Sequence, residues 1–355
     1  MIKILLYICT GTILQLSYIF SEERNIILFV TDDQSPDAGC YGNKKIKMPN
    51  LDNLAADGTL FEYAFATTAS CSASRSVILT GLHNHLNGQF GHQHNYHKFS
   101  SFQNIQSLPV LLNRHGYRTA RIGKFHVAPE PVYHFEKKIK GNSRNAVQMA
   151  AQCKEFISSK DKRPFFLYFA TSDPHRGGGT DKGSPHKPDL FGNRPNKGSH
   201  QGVNEVFYKP EEVEVPDFLP DTPTCRAELA QYYQSCSRID QGLGELVKIL
   251  KETGKYDKTL VIFTSDHGIA MPGGKTIVYE PGLRVPFVVR NPYIKERGLI
   301  NDALISHIDI TPSILNFANA YDTNTRGPLK ELVNFEDSEK RAPEENRGKK
   351  IVTFH

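Results

Sequence analysis

The chain has 355 residues, an apolar fraction of 39%, a charged fraction of 23% and a formal net charge of +5. That length fits one large domain, or a large one with a small one attached. So small a charge gives no case for a nucleic-acid partner, but it leaves room for a basic pocket that takes acidic substrates. No internal repeat is visible.

Met1 to Phe20 carries one lysine, Lys3, and then an apolar run. Residues 1–21 are therefore expected to be a secretory signal peptide. A signal anchor is the alternative, because no A-x-A-like pair precedes Ser21. No other stretch is long and apolar enough to span a bilayer, so no membrane contact is expected once the signal is removed. The destination is then the secretory pathway, leading to a lysosome or out of the cell. Cys9 leaves with the signal. Cys40, Cys153, Cys225 and Cys236 read as structural thiols rather than a disulfide framework. Cys225 and Cys236 fall in one predicted helix, roughly 16 Å apart along its axis, too far to pair.

Asn25 to Thr31 is a continuous apolar run, as expected of a strand buried on both faces, and it ends in Asp32-Asp33. Pro49 to Gly58 has proline near its start and glycine after its end, a helix signature. Thr59 to Thr67 predicts a strand leading to Cys71. From there Cys71 to Leu79 predicts a short helix, with Ser70 as N-cap and Gly81 as its stop. Ser107 to Gly116 is another capped helix, and Tyr117 to Ile122 a strand that runs into Gly123-Lys124-Phe125-His126. Ser143 to Ser159 predicts a helix. Pro164 to Ala170 is a buried strand ending in Ser172-Asp173-Pro174-His175-Arg176. Gly177 to Pro223 is rich in Gly, Pro, His and Lys and too long for a bare connection, so it reads as a functional loop. Thr224 to Thr253 is a long amphipathic helix. Thr259 to Thr264 is a strand ending in Ser265-Asp266-His267-Gly268, Val285 to Val289 a further strand, and Ser306 to Ala318 a helix. After Gly327 the composition turns charged, and Ile351 to His355 reads as one more strand.

Strands alternating with helices imply an α/β architecture: a large, mostly parallel sheet flanked by helices. Sites in such sheets form outside the carboxyl ends of the strands. Asp32-Asp33, Lys124 and His126, Asp173 and His175, and Asp266-His267 all fall at such ends. Asp32, Asp33 and Asp266 offer carboxylate oxygens to a hard divalent cation. Cys71 sits at a helix N-terminus, where an anion is favoured, and Arg75 lies one turn on, in reach of the same anion. An oxyanion of a phosphate or sulfate ester held there would touch Cys71. Read singly, each feature has a plainer account: a cysteine packed under a loop, an acidic pair at a loop start, surface Lys and His.

The string Cys71-Ser72-Ala73-Ser74-Arg75-Ser76-Val77-Ile78-Leu79-Thr80-Gly81 resembles the modification signature of the sulfatase family, C-x-A/P-S-R-x-x-x-L-T-G. The resemblance runs from about Asn25 to the region of His355. It implies the alkaline-phosphatase-like sulfatase fold, with a catalytic domain over 22–327. It also implies a C-terminal small-sheet subdomain, of which 328–355 would be only the start. Cys71 would be converted to formylglycine by the formylglycine-generating enzyme. A divalent cation, calcium by the resemblance, would be held by Asp32, Asp33, Asp266, His267 and residue 71. Arg75, Lys124, His126, His175 and Lys275 would bind sulfate and move protons. Two positions depart from the family pattern: His267 stands where asparagine is frequent, and Lys275 where the nearest subgroup has arginine. The strings Ser107 to Leu112, Ile122-Gly123-Lys124, His126-Val127 and Asp173-Pro174-His175-Arg176 resemble the branch that removes N-linked sulfate from glucosamine in heparan sulfate. The expected partner is thus a sulfated glycosaminoglycan, with an O-sulfated glycan or an inert glycan-binding role as alternatives; a homodimer stays open. His83, His85, His92, His94 and His97 have spacings compatible with zinc; as residues lining a substrate cleft they need no metal.

Overall fold

The computed structural model describes residues 23–320. The expected signal segment, the 328–355 region and the strand at Ile351 to His355 lie outside the described residues. In chain order the elements are β1 (Asn25–Thr31), α1 (Pro49–Ala56), β2 (Thr59–Phe65), α2 (Cys71–Thr80), α3 (Asn84–Asn87), α4 (Leu108–Arg114), β3 (Arg118–Gly123), β4 (Lys137–Ile139), α5 (Ala146–Ile157), β5 (Phe165–Ala170), α6 (Pro223–Glu252), β6 (Thr259–Ser265), α7 (Glu280–Leu283), β7 (Phe287–Arg290), β8 (Leu299–Ser306) and α8 (Ile310–Phe317).

The strands form one eight-stranded sheet in the order β4-β3-β5-β1-β6-β7-β2-β8. Only β7 runs against its neighbours; every other pairing is parallel. The α/β class and the mostly parallel sheet are as the sequence predicts. Every β1 residue is buried because the strand is covered on both faces, with its side chains alternating between two cores. Ile27 and Phe29 pack with residues of α1, α5 and α6. Ile26, Leu28 and Val30 pack with residues of α2, α4 and α8. Phe29 stacks on Phe169 of β5 at 4.6 Å and on Phe263 of β6 at 5.2 Å between ring centroids. Each aromatic pair adds about 1 kcal/mol beyond area burial, and together they tie the three central strands side by side.

Register sets where the strand ends meet. Gly123 pairs with Ala170, Ala170 with Val30, and Val30 with Thr264. Four adjacent strands therefore end at one level, and the residues just beyond them converge. Gly123 is required there: at φ +82° a Cβ would lie 2.0 Å from the Ala170 carbonyl oxygen. Gly268 is held as tightly, since a Cβ would lie 1.9 Å from the Pro281 oxygen at α7.

Two strands escape the sequence reading. β4 has three residues at one edge of the sheet. β8 forms the other edge, with Ile300 and Leu304 exposed at 69% and 78%, so it shows no clean apolar pattern. The segment read as a helix from Ser306 begins instead as a 3-10 turn, His307–Asp309, before α8. Ser70 takes the extended N-cap backbone, but its side chain makes no capping bond. The Ser70 carbonyl instead accepts from Ser74 N at 2.8 Å. Gly81 does close α2, at φ 64°.

Candidate active site

Asp32 and Asp33 follow β1, and Asp266 and His267 follow β6, the next strand in the sheet. All four are fully buried. Asp33 has a left-handed backbone, φ +65°, and its N–H donates to Asp266 Oδ1 at 3.0 Å. The same oxygen accepts from His267 N at 2.9 Å. Two backbone donors thus fix the Asp266 carboxylate before any side chain is added.

Cys71 enters from the N-terminus of α2. Its Sγ lies 3.4 Å from His267 Nε2, 3.4 Å from Lys275 Nζ and 3.8 Å from Asp33 Oδ1. His267 Nε2 is 3.1 Å from Asp33 Oδ1, and the His267 Nδ1 meets the Gly268 carbonyl at 3.0 Å. Ligand atoms of Asp33, Cys71, Asp266 and His267 lie within 4.8 Å of one another, as do those of Asp32, Asp33, Cys71 and His175. Burial first, then the Asp32 and Asp266 charges, push the Cys71 thiol well above its ordinary value. The unmodified side chain is therefore held as a neutral thiol, a poor nucleophile.

Arg75 is fully buried on α2, and it directs its donors inward. Nε meets Asp266 Oδ2 at 3.0 Å, Nη2 meets Asp32 Oδ1 at 3.4 Å and the Thr31 carbonyl at 3.3 Å, and Nη1 meets Tyr168 OH at 3.1 Å. The fork that the sequence points at an anion is thus turned onto two carboxylates. Lys124 pairs with Asp32, and Lys275 Nζ grips both Asp33 oxygens at 2.9 and 2.8 Å. Burial, the largest influence, opposes the Lys275 charge, but Asp33 and the neighbouring acidic groups together overcome it and move its pKa upward. Asp32 falls well below the carboxylate range: burial, the largest influence, raises it, but Lys124, Arg75, His175 and a bond from Asp266 together overcome that. Asp266, with burial dominant, moves upward. Three buried carboxylates therefore face three cations in one water-poor site.

His175 reaches the same place from β5, its Nε2 3.8 Å from Asp33 Oδ2. Its Nδ1 meets the Arg176 carbonyl, which leaves Nε2 facing the cleft. Asp173, two residues earlier, turns the other way. It is bound by Arg144 Nη1 at 2.8 Å and by Arg238 Nε and Nη2 at 2.9 and 2.7 Å. His126, at φ +59°, joins a histidine cluster: its Nε2 meets His94 Nδ1, and its ring stacks on His94 and His92. Burial, then Lys124 and Arg75, lower the His126 pKa to about 3, so it is a neutral base.

The five histidines after the signature divide. His83 stacks on His85 and His97 on Phe99, while His92 and His94 join His126 with ring nitrogens within 4.8 Å. Lys275 and Lys124 both depress His92, after burial and His94; so positive a field favours an anion over zinc there. Sequence reasoning missed Tyr168, Arg144, Arg238 and the His94–His126 contact. Tyr168 sits inside the apolar run of β5, where a phenol looks like core, and the others act across long chain separations.

Acidic side chains at strand ends thus meet a cysteine and an arginine at a helix start, the grouping that the sulfatase resemblance leads one to expect. The family profile named Sulfatase matches residues 24–320, and the chain belongs to that family. Human N-sulphoglucosamine sulphohydrolase is 39% identical over 318 residues, 87% of this chain and 63% of that protein. An ulvan-active sulfatase of Formosa agariphila is 31% identical over 313 residues, 87% of this chain and 57% of that protein. The chain thus spans about 63% and 57% of the length of these curated relatives. Among solved structures, the yidJ protein of Bacteroides fragilis superposes with a TM-score of 0.66 at 21% identity, covering 88% of this chain and 78% of that one. Among the described residues no helix is long and apolar enough to cross a membrane.

Proposed function

We propose that this chain hydrolyses N-linked sulfate from glucosamine units of a sulfated glycosaminoglycan of the heparan type. The carrying observation is Cys71 Sγ in contact with His267, Lys275 and Asp33 at one buried point. The 39% identity with the human N-sulphoglucosamine sulphohydrolase supports this substrate class.

The donor set fits a divalent cation. Asp32, Asp33 and Asp266 present hard oxygens, and with His267 and residue 71 they would hold it. Calcium or magnesium suits the carboxylates, while the imidazole is softer than either ion prefers. When bound, the cation would polarise the sulfate oxygens. Conversion of Cys71 to formylglycine by its generating enzyme would supply a hydrated aldehyde, with one hydroxyl to attack sulfur and a second to release sulfate.

The chain's own residues do the rest. Arg75 holds Asp266 and Asp32 in place. Lys124 and Lys275 keep positive charge beside the position where sulfate oxygens gather, stabilising charge that grows in the transition state. As the S–N bond breaks, the nitrogen keeps the electron pair and takes a proton from Nε2 of the His175 imidazolium, leaving the neutral ring with its Nδ1–H on the Arg176 carbonyl. His126 stays neutral and able to accept a proton from the second hydroxyl.

Asp266-His267 favours a second reading, an O-sulfatase acting on a sulfated uronic acid or another glycan. Sulfate release from N-sulfoglucosamine, compared with O-sulfated sugars, separates the two: preference for the O-sulfated sugar overturns the first. Mass spectrometry of the Cys71 peptide, from protein co-expressed with the modifying enzyme, tests catalysis itself. An unmodified thiol would leave only a glycan-binding role. The reading also places the protein in the secretory pathway, in a lysosome or outside the cell.

A further inference from the structure

The loop after His175 encloses a cavity of about 520 Å³ that the proposed chemistry does not use. Its size lies within the roughly 300–1,000 Å³ typical of small-ligand sites. Arg144, Lys182, Arg194 and Lys197 line it, against a single carboxylate, Asp181. Arg144 is committed to Asp173. Among the described residues, the side chains of Lys182, Arg194 and Lys197 make no ion pair. Three cations outnumber the one carboxylate, Asp181, around this concavity and repel one another, and an anion placed between them relieves that cost.

The cavity is built against the candidate active site, not merely near it in sequence. The Arg144 guanidinium on its wall donates to the His175 carbonyl at 3.0 Å and to the Arg176 carbonyl at 3.4 Å. Gly192, another lining residue, has φ +77°, and a Cβ there would lie 2.6 Å from Arg144 Nη1. The loop is thus pressed onto the arginine that holds the backbone of the proposed proton donor. His200, only 4% exposed, holds the same loop through Nε2 to the Gly192 carbonyl at 3.0 Å. No Phe, Tyr or Trp lines the cavity to stack a base. Thr180 and Asn196 offer instead the short polar groups that suit sugar hydroxyls.

We infer that this cavity is a second subsite, binding an anionic sugar unit next to the one that loses its sulfate. It rests on the sulfatase reading for the identity of the ligand. The subsite makes affinity depend on glycan length and charge. It also makes that part of the affinity salt-sensitive, because its cations are exposed.

Calorimetry on the Cys71→Ala protein, in which no turnover intrudes, tests it with two probes: a heparan-derived sulfated tetrasaccharide and the N-sulfated glucosamine monosaccharide. Adding Arg194→Ala and Lys197→Ala should lower the ratio of tetrasaccharide to monosaccharide affinity about tenfold. The charge-keeping pair Arg194→Lys and Lys197→Arg should preserve the ratio. A ratio that the alanine pair leaves unchanged overturns the subsite. Sulfate release by the unaltered, modified chain is measured separately. A chain that keeps the length-dependent ratio yet releases no sulfate overturns the activity and leaves the subsite standing.

Discussion

Lys275 Nζ bridges Asp33 and Cys71: it lies 2.9 and 2.8 Å from the two Asp33 oxygens and 3.4 Å from the cysteine sulfur. One ammonium therefore neutralises a candidate cation ligand and faces the atom where chemistry would begin. Burial works against the charge, but Asp33 and the other acidic neighbours together raise its pKa, which keeps it charged at neutral pH. Lys275→Ala is predicted to lower kcat/KM for sulfate release by about 10²–10³-fold, the usual loss for one transition-state donor. Lys275→Arg keeps the charge and should lose far less. An alanine variant within threefold of the wild type would remove Lys275 from the mechanism.

A divalent cation would join the three carboxylates that the lysines and Arg75 now face. Chelation is expected to abolish sulfate release, and calcium or magnesium to restore it. The same addition should raise the melting temperature, because an ion that binds only the folded chain at a hundred times its Kd adds about 2.7 kcal/mol. Chelated protein whose activity and melting temperature ignore both ions would contradict the cation site.

Asp173 shows how far the site depends on groups away from the chemistry. Its carboxylate is 1% exposed and bound by Arg238 through two bonds and by Arg144 through one. Arg238→Met removes the partner that makes two of these three bonds and leaves the buried carboxylate to Arg144 alone, a change that costs up to about 3–5 kcal/mol. Urea unfolding should show that loss. His175, two residues away, should also lose its position, so kcat is expected to fall more than KM rises. A variant as stable as the wild type would mean that water takes over the role of Arg238.

The parts legible in the sequence share one cause. β1 and β6 are continuous apolar runs that end in acids, and a parallel sheet brings such ends together, so Asp32, Asp33 and Asp266 were predictable as a group. Cys71 and Arg75 were legible because a helix start fixes both. What escaped depends on neighbours that no local pattern encodes. Tyr168 reaches Arg75 only because the register of β5 against β1 sets it there. Arg75 turned from the expected anion onto carboxylates, because a buried guanidinium must satisfy its donors where acids are already fixed. β8 was hidden since an edge strand need not bury its apolar residues.

Asp240 carries a prediction independent of catalysis. It lies on α6 and caps the start of α1: Oδ2 accepts from Asn50 N at 3.1 Å and Oδ1 from Leu51 N at 2.8 Å. Those bonds favour the carboxylate, but burial dominates and moves its pKa from 3.8 to about 6. Between those values the folded chain binds more protons than the unfolded one. The stability this group contributes is therefore full at low pH and declines as pH rises through about 6. A shift of about two units corresponds to about 3 kcal/mol. Asp240→Asn cannot titrate, so it should be destabilised most, relative to wild type, below about pH 3.8. The gap should narrow toward pH 7 by up to about 3 kcal/mol. Denaturant unfolding of both proteins across that range measures the gap, and one that widens with pH would reverse the assigned direction.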